Sequence, residues 1–189
     1  MRRMGKVILH SAVTVNAAYE APTPEHWLEL DNDSKDANLG QLTLADAMLL
    51  GRKTYEGLAA VWPTLGQVPG MEKFAARINA MPKYVASRTL SGPLEWNATL
   101  LEGDLAESVK KVKENSTLWV SGSGEFAQAL AERGLIDEYW FGVHPHLWPS
   151  GPRFFDGFGP LRLDLVSTTQ YKSGVVMLRY RPANAEGTA

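Results

Sequence analysis

Cysteine is absent from all 189 residues. Disulfides, cysteine-based zinc sites and a thiol nucleophile are excluded with it, and the composition fits a reducing cytoplasm. An excess of either charge is missing too. Nineteen basic against 21 acidic side chains leave a net charge of −2 with histidine neutral. No global field exists to grip nucleic acid or an anionic membrane surface, so any positive site has to be local. No apolar run approaches the roughly 18–20 residues of a membrane span. The start, MRRMGKVILHSAVTVNAA, is basic, then apolar, then small, as a signal peptide would be. His10, Ser11 and Thr14 interrupt the apolar part, and its β-branched residues favour a first strand.

What is present is ordinary globular material, 44% hydrophobic and 21% charged, in a chain long enough for one domain with a sizeable core. Residues 7–15 read as a buried strand: short, apolar and β-branched. A polar, proline-marked loop (NAAYEAPTPEHW) follows, then helical character over 33–44. AMLL runs into Gly51 and a second helix, RKTYEGLAAVWP, ending at Pro63. MEKFAARINAM reads as a helix, KYVAS as a strand and, after a turn at SGPL, ATLLE as a weak strand. Residues 104–114 read as a helix with Asp104 as N-cap and Glu107 completing a capping box. LWVS is a strand, and EFAQALAERG a helix stopped by Gly134.

From Asp137 the helices cease. EYWFGVHP, LRLDLVSTTQYKS and VVMLRYRP read as strands, the last two a hairpin turned at Ser173-Gly174. This order predicts a single α/β domain over 1–182, with a mostly parallel sheet finished by antiparallel strands. Residues 183–189, small and polar, read as a flexible tail.

Three strand-to-helix junctions carry the chemistry, because ligands of open α/β sheets gather at the carboxyl ends of strands. At the first, Gly51 is followed by Arg52, Lys53 and Thr54. Two cations at a helix N-terminus oppose the dipole. They make sense if an anion binds there, or as two solvated side chains. At the second, Ser87, Arg88 and Thr89 follow a strand with one guanidinium and two hydroxyls, all donors for phosphate oxygens.

The third junction, Gly122-Ser123-Gly124-Glu125-Phe126-Ala127, matches the short G-x-G-x-x-G/A pattern. It lies too late in the chain, and without its acidic partner, for the full dinucleotide fingerprint. Its glycines still permit close backbone approach to a pyrophosphate at a helix N-terminus. The three junctions together read as a nucleotide-phosphate site.

LLGRKTYE, KYVASRTL, WVSGSGEFAQAL, GLIDEYWFGVHP, SGPRFFDG and SGVVMLRYRP occur in this order. The set resembles the reductase domain of bacterial riboflavin biosynthesis, the C-terminal half of the bifunctional deaminase–reductase, over residues 6–182. That resemblance implies a three-layer dihydrofolate-reductase-like fold with helices on both faces of the sheet. It further implies NADPH as hydride donor and a homodimer. It assigns cofactor phosphates to Gly51, Arg52, Lys53 and Thr54, and the adenosine 2′-phosphate to Ser87 and Arg88. The pyrophosphate falls to Gly122, Ser123, Gly124 and Glu125 with Phe126, and Val13 on the first strand joins the cofactor set. The implied reaction is hydride transfer to a C=N or C=C of a small heterocyclic or ribosylamino-pyrimidine-like substrate. Without cysteine the zinc site of the deaminase half cannot form, so reduction alone is expected.

Two departures stand out. Val15-Asn16-Ala17 replaces the Leu-Asp-Gly common in close relatives, and HPHLWPSGPR replaces a leaner Gly-Ser-Gly turn while adding Trp148 and Pro149. For the proton that accompanies hydride transfer, the candidates are Asn16 and Glu20 after the first strand, and Asp33 and Asp36 (with Asp31) on or before the next helix. Each also reads as a solvated or capping residue. His10 reads as a structural histidine, and His144 and His146 lack a third ligand for a metal. The aromatic-rich end (Trp140, Phe141, Trp148, Phe154, Phe155, Phe158) reads as core or dimer interface. Two alternatives stay open: a dihydrofolate reductase, and a non-catalytic NADPH-binding protein of the same fold.

Overall fold

A computed structural model describes residues 5–19, 32–121, 124–154 and 156–183, the side chains of 32–36 excepted. The Cα packing divides the chain into two units, one of residues 1–7 and 36–122, the other of 8–35 and 123–189. The strand β1 (Val7–Thr14) and the helix α1 (Asn32–Leu42) each cross the division in sequence.

The first unit contains β2 (Ala47–Gly51), β3 (Lys83–Ala86), β4 (Ala98–Leu100) and β5 (Leu118–Ser121), in the order β4-β3-β2-β5. All three pairings are parallel. β2 is buried at every residue, as a central strand of near-continuous apolar character should be. The connecting helices are α2 (Arg52–Leu65), α3 (Glu72–Ala80) and α4 (Leu105–Lys113).

α2 extends past the boundary expected at Pro63, which sits inside its last turn. A proline there removes one helical N–H near an end where few bonds remain to be lost. Asp104 caps α4, its Oδ1 accepting from the Ala106 and Glu107 amides at 2.9 and 3.1 Å. Glu107 does not show the reciprocal half of a capping box. Its carboxylate instead accepts from Lys110 Nζ at 3.4 Å, one turn on.

The second unit contains most of β1, β6 (Glu138–His144), β7 (Leu163–Gln170) and β8 (Val176–Pro182), in the order β1-β6-β8-β7. β1 and β6 are parallel; β8 runs antiparallel to both β6 and β7. The expected change from parallel to antiparallel pairing at the C-terminal end is therefore present. The β7–β8 turn closes with Gly174 N–H on Tyr171 O and Tyr171 N–H on Val175 O, with Gly174 at φ 85°. That is a type I turn finished by a left-handed glycine.

α5 (Glu125–Glu132) ends as expected at Gly134. The Leu135 amide reaches Leu130 O, the Gly134 amide reaches Ala131 O, and Gly134 sits at φ 62°. These two bonds satisfy carbonyls that a helix end would otherwise leave open. The unit's aromatic core centres on Phe154, whose ring meets Phe141 edge-on at 5.3 Å and Tyr19 edge-on at 6.2 Å.

Candidate functional site

In the first unit, two of the junctions lie side by side. Gly51 pairs with Ala86 across the parallel β2–β3 ladder, so Arg52 and Ser87 leave adjacent strands at one level, about 5 Å apart. β5 ends at the same edge, with Val120 opposite Leu49. α2 starts directly after Gly51 with no side-chain cap and no acidic residue in its first turn. Its free N–H groups and positive dipole end are therefore not compensated by any acidic side chain of that turn. Arg52 is drawn along the helix to Glu56, Nη1 to Oε2 at 3.0 Å. Lys53 is exposed.

Ser87 builds the second junction more than it decorates it. Its Oγ accepts from the Thr89 amide at 3.1 Å and the Leu90 amide at 2.9 Å, a hydroxyl-closed turn. Arg88 and Thr89 stand exposed on that turn. The loop's far end is pinned. Tyr55 of α2 donates its hydroxyl to Glu95 O at 3.1 Å, and Trp96 Nε1 donates to Asn79 Oδ1 at 2.7 Å. Beneath Trp96 lies Lys83, only 1% exposed, with Nζ 4.1 Å from the indole centroid and bonded to Asn79 O at 3.0 Å. Burial lowers the Lys83 pKa to about 8.

In the second unit, Gly124 opens α5 at φ 81°, ψ −152° without a side-chain cap, a conformation essentially reserved for glycine. Glu125 occupies the first turn and is exposed, and Phe126 is half-buried. Gly122 and Ser123 lie outside the described residues.

The loops that follow the parallel strands β1 and β6 are stapled together. Asn16 Nδ2 donates to Trp148 O at 2.7 Å, while Asn16 Oδ1 accepts from the Trp148 amide at 3.2 Å and from Thr14 Oγ1 at 2.7 Å. Arg153 Nη1 adds a second donor to Trp148 O at 3.2 Å. The Val15 amide bonds His146 O, and the Phe154 amide bonds Ala17 O. The two sequence departures are thus one physical feature, and both ends of the Asn16 carboxamide are used in it. Ala17 adopts φ 62°, the left-handed region that a glycine enters without strain.

The remaining candidates are separate from these clusters. Val13 is a buried β1 residue opposite Val143. Thr54 is half-buried in the first turn of α2. Glu20 and Phe155 lie outside the described residues; Asp33 and Asp36 lie in α1, their side chains outside the description. His10 and His144 are held as neutral imidazoles with pKa near 4. Burial is the main cause for both; the His144 and Arg179 charges add to it for His10, and the His146 charge for His144. Among the described residues no three His, Asp or Glu side chains gather to hold a metal, and no described helix is long and apolar enough to cross a membrane.

Residues 5–177 match the model of the RibD C-terminal domain. The chain belongs to the RibD C-terminal domain family. The uncharacterized protein YyaP of Bacillus subtilis (strain 168) is 29% identical to this chain over 180 residues, covering 93% of this chain and 94% of that one. A Shewanella sp. PV-4 structure named for riboflavin biosynthesis matches at 18% identity and TM-score 0.68, over 95% of this chain and 99% of that one. The Thermotoga maritima diaminohydroxyphosphoribosylaminopyrimidine deaminase/5-amino-6-(5-phosphoribosylamino)uracil reductase matches at 14% identity and TM-score 0.63. There the match covers 95% of this chain and 57% of the other. At these identities the structural likeness establishes the fold, a mixed α/β fold whose strands are mostly parallel and end antiparallel.

The sequence did not single out Tyr55, Lys83 or Arg153, and it marked Trp148 without pairing it to Asn16. Tyr55 had a signal, since it follows Arg52-Lys53-Thr54 directly and a tyrosine hydroxyl in a buried helix face needs a partner.

Proposed function

We propose that the chain is an NADPH-dependent reductase that delivers hydride to a C=N or C=C of a small heterocyclic substrate. A ribosylamino-pyrimidine of the kind named for the Thermotoga relative, 5-amino-6-(5-phosphoribosylamino)uracil, is the first to try. One observation carries this reading. In a RibD C-terminal domain, the β2–β3 register sets Gly51 opposite Ala86, so that Arg52 and Ser87 open the following segments at one level, at the carboxyl ends of parallel strands.

The residues present fit a phosphorylated dinucleotide. α2 offers an uncapped N-terminus with two cations and no acid in the first turn, which suits an anion such as a phosphate. Arg88, exposed on a turn tied by Ser87, would take the adenosine 2′-phosphate through charge-assisted bonds. In the second unit, Gly124 in its glycine-only conformation opens α5 without a side-chain cap. When bound, NADPH supplies the hydride; the protein's share is to orient the two reactants and exclude water. Asn16 does not serve as the acid, because an amide has no proton to give at neutral pH and both its ends are engaged by the Trp148 loop.

The test is turnover. Incubation with NADPH and the ribosylamino-pyrimidine, followed by loss of reduced-nicotinamide absorbance, should show oxidation that depends on both. Tight NADPH binding with no oxidation by this or related imines would replace the reductase with a non-catalytic binder.

A further inference from the structure

The loop that carries Arg88 is held at two places with seven residues between them. At its entry, the Ser87 hydroxyl closes the turn. At its exit, Glu95 O accepts from Tyr55, Trp96 is bonded to Asn79 and lies over Lys83, and Asn97 Nδ2 reaches Ala80 O at 3.1 Å. Trp96 and Asn97 both sit in the left-handed region, φ 59° and 53°, a bend that local sequence does not favour and these contacts have to maintain.

Of these ties, the Tyr55 hydroxyl differs in kind. Tyr55 is 7% exposed, and its ring would be equally at home as phenylalanine. Only the hydroxyl needs Glu95, and through it α2, the helix that opens with Arg52 and Lys53, grips the loop that displays Arg88.

We propose that Tyr55 is a positioning residue for 2′-phosphate recognition: its hydroxyl fixes the Arg88 loop against α2, so that the cations of both segments meet one dinucleotide. The proposal rests on the NADPH reading and adds to it a residue that touches no cofactor. Tyr55 acts through Arg88, so its effect must vanish when Arg88 is gone.

The experiment is a double-mutant cycle of Tyr55→Phe and Arg88→Ala, with dissociation constants for NADPH and NADH measured on each folded protein. Wild type should prefer NADPH. Tyr55→Phe should weaken NADPH about fivefold, the size of one ordinary hydrogen bond, and leave NADH unchanged. In the Arg88→Ala background, Tyr55→Phe should change neither. An equal loss for both cofactors, or an undiminished effect without Arg88, would make Tyr55 a plain structural residue and overturn the proposal. If Tyr55→Phe does not fold, Asn79→Ala, which frees Trp96 at the same end of the loop, takes its place with the same required outcome. A wild type indifferent to the 2′-phosphate overturns the cofactor reading, and this inference with it.

Discussion

Asn16 and Trp148, 132 residues apart, are joined through both ends of one carboxamide: Nδ2 donates to the Trp148 carbonyl and Oδ1 accepts its amide. Only a side chain that both donates and accepts can make this pair, and among the acids and amides of that length only asparagine does so at neutral pH.

An aspartate at position 16 should therefore be costly here. Asn16→Asp sets an ionised oxygen against the Trp148 carbonyl and removes a donor, an expected loss of about 1–3 kcal/mol in denaturant unfolding. The new carboxyl has its pKa raised by that neighbour. The deficit relative to wild type should therefore shrink as pH falls and the group gains a proton to donate. A variant as stable as wild type at neutral pH would contradict the staple.

Two histidines set the acid limit. His10 and His144 titrate near 4 in the folded chain against 6.5 when unfolded. Between those values the unfolded chain binds more protons, so stability falls as pH drops from about 6.5 toward 4. His10→Gln should flatten that slope in unfolding experiments across the window. An unchanged slope would remove His10 from the account.

Lys83 acts at the other end of the scale. Its folded pKa of about 8 lies below the ordinary lysine value of 10.5, so the unfolded chain again holds the extra proton in between. Stability should rise with pH from about 8 to 10.5. Tyr139, pushed up to about 12 by burial, works in the opposite sense above pH 10. The difference between wild type and Lys83→Met isolates the lysine. That difference should move in favour of wild type as pH rises, and a constant difference would contradict a desolvated ammonium.

The sequence made some of this legible and hid the rest for definable reasons. The apolar runs of β1, β2 and β5, the Asp104 cap and the Gly134 stop are local signals, and each appears where it was expected. Pro63 predicts a helix end, but a proline in a last turn costs one bond, and the helix continues to Leu65. Lys83 is the first residue of β3. It is buried because Trp96, thirteen positions later, folds back over it. The Asn16–Trp148 and Tyr55–Glu95 bonds join side chains to backbone groups far along the chain. A backbone carbonyl is the same in every residue, so no residue type announces such a partner. The junction residues Arg52, Lys53, Ser87 and Arg88 were legible as a set. That β2 and β3 are neighbours with Gly51 opposite Ala86 was not.

The proposed role of this register is to hold the 2′-phosphorylated dinucleotide. It is tested most directly by titrating the protein with NADPH and with NADH, followed by the fluorescence of its six tryptophans. The account predicts clearly tighter binding of NADPH, a preference that Arg88→Ala abolishes. Equal affinities, or no binding of either, would contradict it.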